Sequence, residues 1–155
     1  MDFLICLGLV IATLVVYGQV RHHDFISFDD PLYVTDNRYV REGLIFEGIV
    51  WSFSFADKEK TYWHPLTWLS HMLDCHLYGL TPGMHHRTNL ILHLANTLLL
   101  FLVLRQLTGA LWKSAFVAAL FALHPINVDS VAWIAQRKNL LSTGFWELHK
   151  TAQTS

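Results

Sequence analysis

The sequence predicts an all-α fold, a fragment of a polytopic membrane helical bundle with interfacial helices in its first external loop. Of 155 residues, 53% are hydrophobic and only 15% are charged, whereas a soluble domain carries about 25% charged residues. The apolar residues gather in long uncharged runs, and at this chain length only helices satisfy backbone hydrogen bonds within hydrocarbon. The apolar content, with 8 Gly, 4 Pro and 2 Cys, excludes disordered, collagen-like and disulfide-rich classes.

Three runs are predicted to span the membrane. Residues 3–20 and 88–104 hold 18 and 17 positions without a charge, which at 1.5 Å per residue approaches the roughly 30 Å hydrocarbon core. The third run, residues 109–123, includes Lys113, so it spans only if this lysine snorkels to the interface. The first run lacks a basic start and a clear cleavage site, which indicates an anchor and not a signal peptide.

The basic residues predict the orientation of the chain. Arg105 and Lys113 flank the short turn between the second and third spans, and the positive-inside rule places that turn, and hence the N-terminus, in the cytoplasm. Residues 21–87, with six basic and nine acidic side chains, then form an external loop, and residues 124–155 an external segment. We expect residues 1–155 to be the N-terminal part of one integral domain, in a bacterial inner membrane.

The external loop is predicted to contain two interfacial helices, at about residues 40–54 and 65–79. Four leucines recur at helical spacing after Pro65, and the loop is rich in aromatic rings, which suit a membrane–water interface. Past the third span, residues 128–149 are expected to be helical, yet too short and polar to span.

An acidic pair, Asp29 and Asp30, follows the first span and precedes Pro31. One interpretation is structural, because an aspartate before a proline commonly caps a helix. The other is catalytic: one carboxylate deprotonates an acceptor hydroxyl, while its neighbour raises its pKa or holds the acceptor.

A second set of residues is predicted to lie at one level of the external interface. They can be plain helix-end anchors, or they can converge to bind a phosphate, for which arginine offers a bidentate fork. This set consists of His85, His86, Arg87, His124, Arg137 and Lys138.

Other ligand classes have little support in the sequence. No HExxH or paired CxxC motif accompanies the 10 histidines, so a divalent metal is possible but not supported, and no resident cofactor is predicted. Cys6 lies in a span and Cys75 outside it, so no disulfide is expected. A net charge of −1 argues against nucleic acid as a partner.

A polar stripe runs along the second span. Asn89, His93 and Asn96 are spaced i, i+4 and i+7, and such groups seek partners in hydrocarbon. With only three spans available, we expect this stripe to face lipid.

Three runs of the sequence occur in an order typical of one family. They are FDDPLYVTDNRYVREGL, WHPLTWLSHMLDCHLYGLTPGMHHRTNLILHLANTLLLFLVL and ALWKSAFVAALFALHPINVDSVAWIAQRKNLLS. Residues 8–146 resemble the N-terminal part of polytopic proteins with C-terminal tetratricopeptide repeats, of the glycosyltransferase-C type and similar to protein O-mannosyltransferases. The resemblance implies sugar transfer from a polyprenyl-phosphate donor, with Asp29 and Asp30 as the acidic pair and Asp29 the better candidate base.

The chain departs from the family pattern at three places. Asp129 stands where glutamate is usual and Asn139 where aspartate is usual, which removes a charge that could orient Arg137. After Trp146 a fourth apolar span would follow, whereas the chain reads ELHKTAQTS. The resemblance therefore implies missing spans and repeats, and we expect the isolated fragment to be inactive.

Two functions follow from these patterns. The first is a fragment of a membrane glycosyltransferase that moves a sugar from a lipid-linked donor to a protein hydroxyl, with His86, Arg137 and Lys138 neutralising the leaving phosphate. The alternative is a non-catalytic membrane scaffold, whose external aromatic platform binds a partner or lipid.

Overall fold

The computed structural model of the protein describes residues 1–54 and 62–154. Within these ranges all regular structure is helical, which confirms the predicted all-α class. The α-helices are α1 (Asp2–Tyr17), α2 (Arg38–Arg41), α3 (Phe46–Phe53), α4 (Pro65–Tyr78), α5 (Pro82–Thr108), α6 (Leu111–Leu123), α7 (Val128–Ala132) and α8 (Arg137–Thr154). Short 3₁₀ or π turns occupy Gly18–His22, Pro31–Thr35, Pro125–Asn127 and Ile134–Gln136.

Among the described residues, two helices are long and apolar enough to cross a membrane, namely Asp2–His22 and Pro82–Thr108. Helix α6 has 13 residues, about 20 Å of helix, and is too short by itself. Together with Pro125–Ala132 it forms a pair bent by 50° that can serve as a third span. Helices α1, α5 and α6 pack around Leu9, Phe101 and Ala118.

Helix α5 begins six residues before the predicted span, at Pro82. Proline suits the first position of a helix, because its missing N–H would have no partner there. A Cβ at Gly83 would clash with the carbonyl oxygen of Arg21, so glycine allows the end of the first span to approach α5 closely. Residues 85–87 therefore lie inside α5 and not in a loop before it.

The predicted helix at 65–79 is present as α4, but the predicted helix at 40–54 is wrong. Two shorter helices, α2 and α3, replace it. Gly43 between them has φ +79°, a left-handed conformation that ends a helix and favours glycine. A side chain there would also press on His76 of α4, since an added Cβ would lie 3.1 Å from the His76 Cα.

The aromatic side chains of the loop pack largely on one another. Tyr33 stacks on Trp68 and Tyr39 on Trp51, each with ring centres 4.7 Å apart, and Trp51 meets Trp68 edge-on at 5.3 Å. Tyr33 and Trp68 are buried, whereas Trp63 is 47% exposed. Much of the expected aromatic platform is thus a core that fixes α2, α3 and α4 to each other.

The segment after the third candidate span is helical, with a break at Trp133 between α7 and the Ile134–Gln136 turn. Helix α8 packs along α5, and together with α6 and the backbone at Trp133 it covers the polar stripe. Asn89 Nδ2 donates to the Trp133 carbonyl (3.1 Å) and Asn96 Nδ2 to the Leu140 carbonyl (2.8 Å). The His93 ring bonds the Ala122 carbonyl (3.1 Å). The expectation that this stripe faces lipid is therefore wrong.

Glu147 of α8 is a buried carboxyl, and its Oε2 has no hydrogen-bond partner among the described residues. Burial raises the pKa of Glu147 to about 7, so the folded state holds the proton more tightly than the unfolded chain does. This carboxyl therefore costs no stability below about pH 4.5, an increasing amount as the pH rises to 7, and a constant amount above.

We predict that Glu147→Gln, which mimics the protonated side chain, stabilises the protein by about 1–3 kcal/mol at pH 8 and has little effect near pH 4.5. Denaturant unfolding in detergent at both pH values measures this difference. Glu47→Gln, at an exposed position of α3, is the control and should be neutral at both. A Glu147→Gln effect that is equal at the two pH values would contradict the prediction.

Candidate functional site

Asp30 joins two segments that are 105 residues apart in the sequence. Its carboxylate is fully buried, with Oδ2 accepting from the Ile26 N–H (2.8 Å) and Oδ1 from the Ala135 N–H (2.9 Å). Burial raises the pKa of Asp30, and these two N–H donors partly oppose the rise. The turn at Pro31–Thr35 receives no cap from this side chain. The capping interpretation is therefore wrong, and Asp30 connects the loop to the turn before α8.

Asp29, the other half of the pair, is in a different environment. Its side chain is half-buried, and its carboxylate makes no hydrogen bond to any residue that the structure describes. Its main-chain carbonyl accepts from the Tyr33 N–H at 3.0 Å, so the backbone at this point is fixed. A carboxylate with free lone pairs on an ordered backbone can accept a proton from a substrate.

A buried ion pair lies behind the acidic pair. Arg137 Nη2 is 2.7 Å from Asp74 Oδ2, and both side chains are almost completely buried. Burial lowers the pKa of Arg137, while the Asp74 carboxylate raises it again. Thr88 adds a hydroxyl that donates to Asp74 Oδ1 at 2.9 Å.

The other N–H groups of Arg137 also have acceptors. Nε donates to Asn89 Oδ1 (2.7 Å), and Nη2 also donates to the His85 carbonyl (2.9 Å). Nη1 donates to the carbonyl and the hydroxyl of Ser70, at 3.2 and 3.1 Å. A guanidinium has five N–H donors, and here five acceptors surround it. Arg137 thus ties α4, α5 and α8 together, and the interpretation as a phosphate ligand is wrong for this arrangement.

His85 and His86 are fully buried on α5. The His85 ring bonds the Gly79 carbonyl (3.1 Å), with Nδ1 at 3.4 Å from Asp74 Oδ2. The His86 ring contacts the Asp24 carbonyl at 3.4 Å. Both rings hold loop backbone against α5, and so they do not form an exposed phosphate surface.

The structure does not bring Arg87 and His124 into this network. Arg87 is exposed, and its guanidinium contacts the Met84 sulfur at 3.3 Å. His124 is also exposed, and its Nδ1 accepts from the Ile126 N–H at 3.2 Å. The anchor interpretation describes these two residues better than phosphate binding does.

Lys138 lies at a groove between the beginnings of α4 and α8. Its Nζ is 5.2 Å from the Tyr33 ring centre and 5.8 Å from that of Tyr62, within the range of a cation–π contact. The groove has a volume of about 540 Å³. It is lined by Trp63, Leu66, Leu141 and Phe145 on its apolar side and by His64, Thr67, Lys138 and Ser142 among its polar groups.

The charges at the groove are unevenly distributed. Burial and the neighbouring Lys138 lower the pKa of His64, so near neutral pH this ring is uncharged and Lys138 supplies the positive charge. Burial, and then the charge of Asp29, raise the pKa of Tyr33 to about 12, so its hydroxyl stays neutral. The buried Tyr33 ring is thus neutral and near both charges, with the Lys138 ammonium over the ring and the Asp29 carboxylate close enough to act on its hydroxyl.

Three residues of the site were not predicted from the sequence, namely Ser70, His71 and Asp74. They lie on the buried face of α4, and His71 is completely buried beside the Tyr33 and His85 rings, 6.3 Å from each. Burial and the charge of Arg137 hold the pKa of His71 well below its ordinary value. The helical period does not identify Asp74, which lies beside Thr67 and His71 and not on the side of the leucines; what marks it is that a buried charge needs a buried partner.

Within residues 1–54 and 62–154 no group of three or more His, Cys, Asp or Glu side chains is arranged to hold a metal ion. Cys6 and Cys75 are both free thiols.

Similar proteins are found among curated sequences. The chain is 34% identical to mouse protein O-mannosyl-transferase TMTC1 over 139 residues, which is 84% of this chain and 14% of that protein. It is 33% identical to human TMTC1 over the same share of the chain, and 31% identical to fruit-fly protein O-mannosyl-transferase Tmtc2 over 90% of it. No family model and no solved structure matches the chain.

The chain spans about one seventh of the length of these relatives. The relatives are animal proteins, so they lend no support to the bacterial inner membrane expected from the sequence. The apolar helices and the relatives together identify an integral membrane protein. The predicted resemblance is therefore confirmed, and the chain is a homologue of one part of the protein O-mannosyl-transferases.

Proposed function

We propose that this chain supplies one side of a site that transfers a sugar, mannose by analogy with its relatives, from a polyprenyl-phosphate donor to a protein hydroxyl. One observation carries the proposal: Lys138, a half-buried ammonium at the groove, lies over the Tyr33 ring, and the half-buried Asp29 carboxylate is close enough to Tyr33 to raise the pKa of its hydroxyl. The names of the relatives support the reaction class.

The two charges match what the transfer needs. The acceptor hydroxyl oxygen forms a bond to the anomeric carbon of the sugar, and its proton goes to the Asp29 carboxylate. The bond between that carbon and the phosphate oxygen breaks, and the oxygen keeps the electron pair. Lys138 stabilises the negative charge that develops on the phosphate.

The groove also fits the two chemical parts of such a donor. Lys138 marks an end where a phosphate would find a cation, and Leu141 and Phe145 continue the groove along α8 with apolar surface for a hydrocarbon chain. Ligand sites are commonly concave and mostly apolar, with few polar groups that fix orientation. Burial of lipid methylene groups there would be worth about 0.8 kcal/mol each.

The donor site is tested in a chimera, called here the TMTC1 chimera, in which this chain replaces the matching region of mouse TMTC1. Lys138→Gln is expected to lower kcat/KM for a short-chain polyprenyl-phosphate mannose about 10–100-fold, since it removes a charge-assisted hydrogen bond. Lys150→Gln, on the same helix beside Trp146, is the control. Equal kcat/KM for Lys138→Gln and Lys150→Gln would refute the assignment of the groove.

We also propose that the site faces the side of the membrane opposite the cytoplasm. Arg105 and Lys113 flank the turn between α5 and α6, and short basic loops stay cytoplasmic. A reporter inserted after Gly109 is predicted to be cytoplasmic, and one inserted at 56–60, which lie outside the described residues, non-cytoplasmic. The reverse result would place Asp29 on the wrong side for an acceptor outside the cytoplasm.

A further inference from the structure

We infer that the buried Asp74–Arg137 network is a positioning device for Asp29, and that it acts through the turn at Ile134–Gln136 and through Asp30. The inference rests on the proposed function, because Asp29 is the base proposed there. The network would then affect the reaction rate by holding Asp29 in place, although no residue of the network contacts the substrate.

The first link is the connection between the network and the turn. Asn89 donates from Nδ2 to the Trp133 carbonyl (3.1 Å) and accepts from Arg137 Nε at Oδ1 (2.7 Å). Trp133 and Arg137 are the residues immediately before and after the turn. One amide side chain on α5 therefore holds both ends of this three-residue turn.

The second link fixes Asn89 and Arg137 themselves. Arg137 is fastened to α4 through Ser70 and Asp74 and to α5 through the His85 carbonyl. Guanidinium geometry is planar and fixed, so five simultaneous bonds leave the side chain one position. The turn is thereby fixed relative to two long helices.

The third link runs from the turn to the proposed base. The Ala135 N–H at the middle of the turn donates to Asp30 Oδ1, and Asp30 Oδ2 accepts from the Ile26 N–H. The loop that carries Asp29 is thus fastened immediately beside Asp29, to a point set by α4 and α5. Because a misplacement of about 1 Å can cost a reaction roughly 10²-fold, this chain of contacts bears on the rate.

Amide hydrogen exchange measures the proposed chain of contacts directly. The Ile26 and Ala135 amides both donate to Asp30, so their exchange rates report whether the loop stays fastened to the turn. The measurement uses NMR on the whole chain in detergent micelles, and it does not require activity.

Asn89→Ala is the test variant, because it removes both bonds that flank the turn and leaves the Asp74–Arg137 ion pair in place. Asn96→Ala is the matched control: the same residue type, two turns further along α5, bonded to the Leu140 carbonyl and remote from Asp30. We expect Asn89→Ala to accelerate exchange at Ile26 and Ala135 at least about 10-fold, and Asn96→Ala to leave both rates unchanged. Unchanged rates in Asn89→Ala, or equal acceleration in both variants, would overturn the inference.

Arg137→Lys gives a second, independent variant that keeps the charge but not the planar fork. It is expected to accelerate the same two amides, while amides in the middle of α6 stay protected. If amides throughout the chain lose protection in Arg137→Lys, that variant is destabilised as a whole. The positioning role then depends on Asn89→Ala, which must still accelerate only the Ile26 and Ala135 amides. Global loss in both variants contradicts the inference.

Kinetics in the TMTC1 chimera separate positioning from a purely structural role. Asn89→Ala is expected to lower kcat about 10–100-fold with KM for the donor unchanged, since Asn89 touches neither the groove nor the donor. Faster amide exchange with unchanged kcat would overturn the inference, while the proposed function would stand. An Asp29→Asn variant of full activity would instead refute the proposed function, whatever the exchange rates.

Discussion

Asp29→Asn in the TMTC1 chimera is expected to lower the rate of mannosyl transfer about 10²–10⁴-fold, the usual contribution of a general base. Asparagine keeps the size of the side chain and the ability to accept one hydrogen bond, but it cannot take a proton from the acceptor hydroxyl. The Asp29 carboxylate makes no hydrogen bond to residues 1–54 or 62–154, so its replacement by the isosteric amide breaks no hydrogen bond there. The expected loss is therefore in kcat, with expression and KM unchanged.

Two further aspartates make this test specific. Asp36→Asn, at an exposed site in the same loop, is expected to retain full activity. Asp30→Asn is expected to lower activity by shifting the loop. In the native protein two backbone N–H groups donate to the Asp30 carboxylate, and in the variant one of them would face the amide N–H₂ group of asparagine. Only Asp30→Asn should therefore accelerate amide exchange at Ile26 and Ala135. Full activity of Asp29→Asn would refute the proposed base.

The local structure was largely predictable from the sequence. Uncharged runs identified the segments of α1 and α5, because a helix that crosses hydrocarbon needs about 20 apolar residues. Pro65 and the leucine spacing identified α4, since period and N-terminal proline are properties of neighbouring residues. The break at Gly43 was missed because many glycines are tolerated in helices, whereas the positive φ of this one and its closeness to His76 depend on the folded structure.

The site was less predictable, because its contacts join distant segments. Asp30 meets Ala135 across 105 residues, and Arg137 meets Ser70 across 67. The loop between the first two spans holds nine acidic residues, and no periodicity indicates that Asp74 is the partner of Arg137. In the family pattern an aspartate at position 139 could orient Arg137, but this chain has Asn139 there. Asp74 of α4 has that role instead, and Asn139 is exposed.

The polar stripe of α5 is a second feature whose contacts the sequence did not predict. The spacing of Asn89, His93 and Asn96 correctly indicated one helix face, but not which element covers it. Residues 128–149 were expected to be helical but too short and polar to span, and nothing in their sequence indicated that they pack on α5. Gly144, however, allows α8 to approach α5 so closely that an added Cβ would lie 2.8 Å from Asn96 Oδ1. The partners of a polar face are thus decided by packing, which the sequence pattern of that face does not contain.

The second large effect is expected from the buried ion pair. Two arginine–carboxylate pairs of the chain have nearly equal lengths, 2.7 Å for Arg137–Asp74 and 2.8 Å for Arg38–Glu42. The first is buried and the second is exposed, so their energies should differ although their geometries agree. Removal of one partner of a buried pair leaves an unpaired charge in a low dielectric and costs about 3–5 kcal/mol.

We therefore predict that Arg137→Met increases the rate at which Cys75 reacts with a maleimide about 10²–10³-fold, in a Cys6→Ser background. Cys75 is buried beside Asp74, and burial raises the pKa of its thiol to about 11, so labelling proceeds through unfolded molecules and reports their population. Loss of the Arg137 charge raises the thiol pKa further, so faster labelling cannot come from a more reactive thiolate.

Arg38→Met is the matched control, and we expect it to change the labelling rate less than about fivefold, because exposed pairs contribute little. The double variant Asp74→Leu/Arg137→Met should label more slowly than Arg137→Met alone, since it removes the orphaned charge together with its partner. If Arg137→Met and Arg38→Met labelled at the same rate, the Asp74–Arg137 pair could not be what holds α4, α5 and α8 together. A double variant that labels faster than Arg137→Met would show that the Asp74 carboxylate is stabilised by Thr88 and His85 without its arginine.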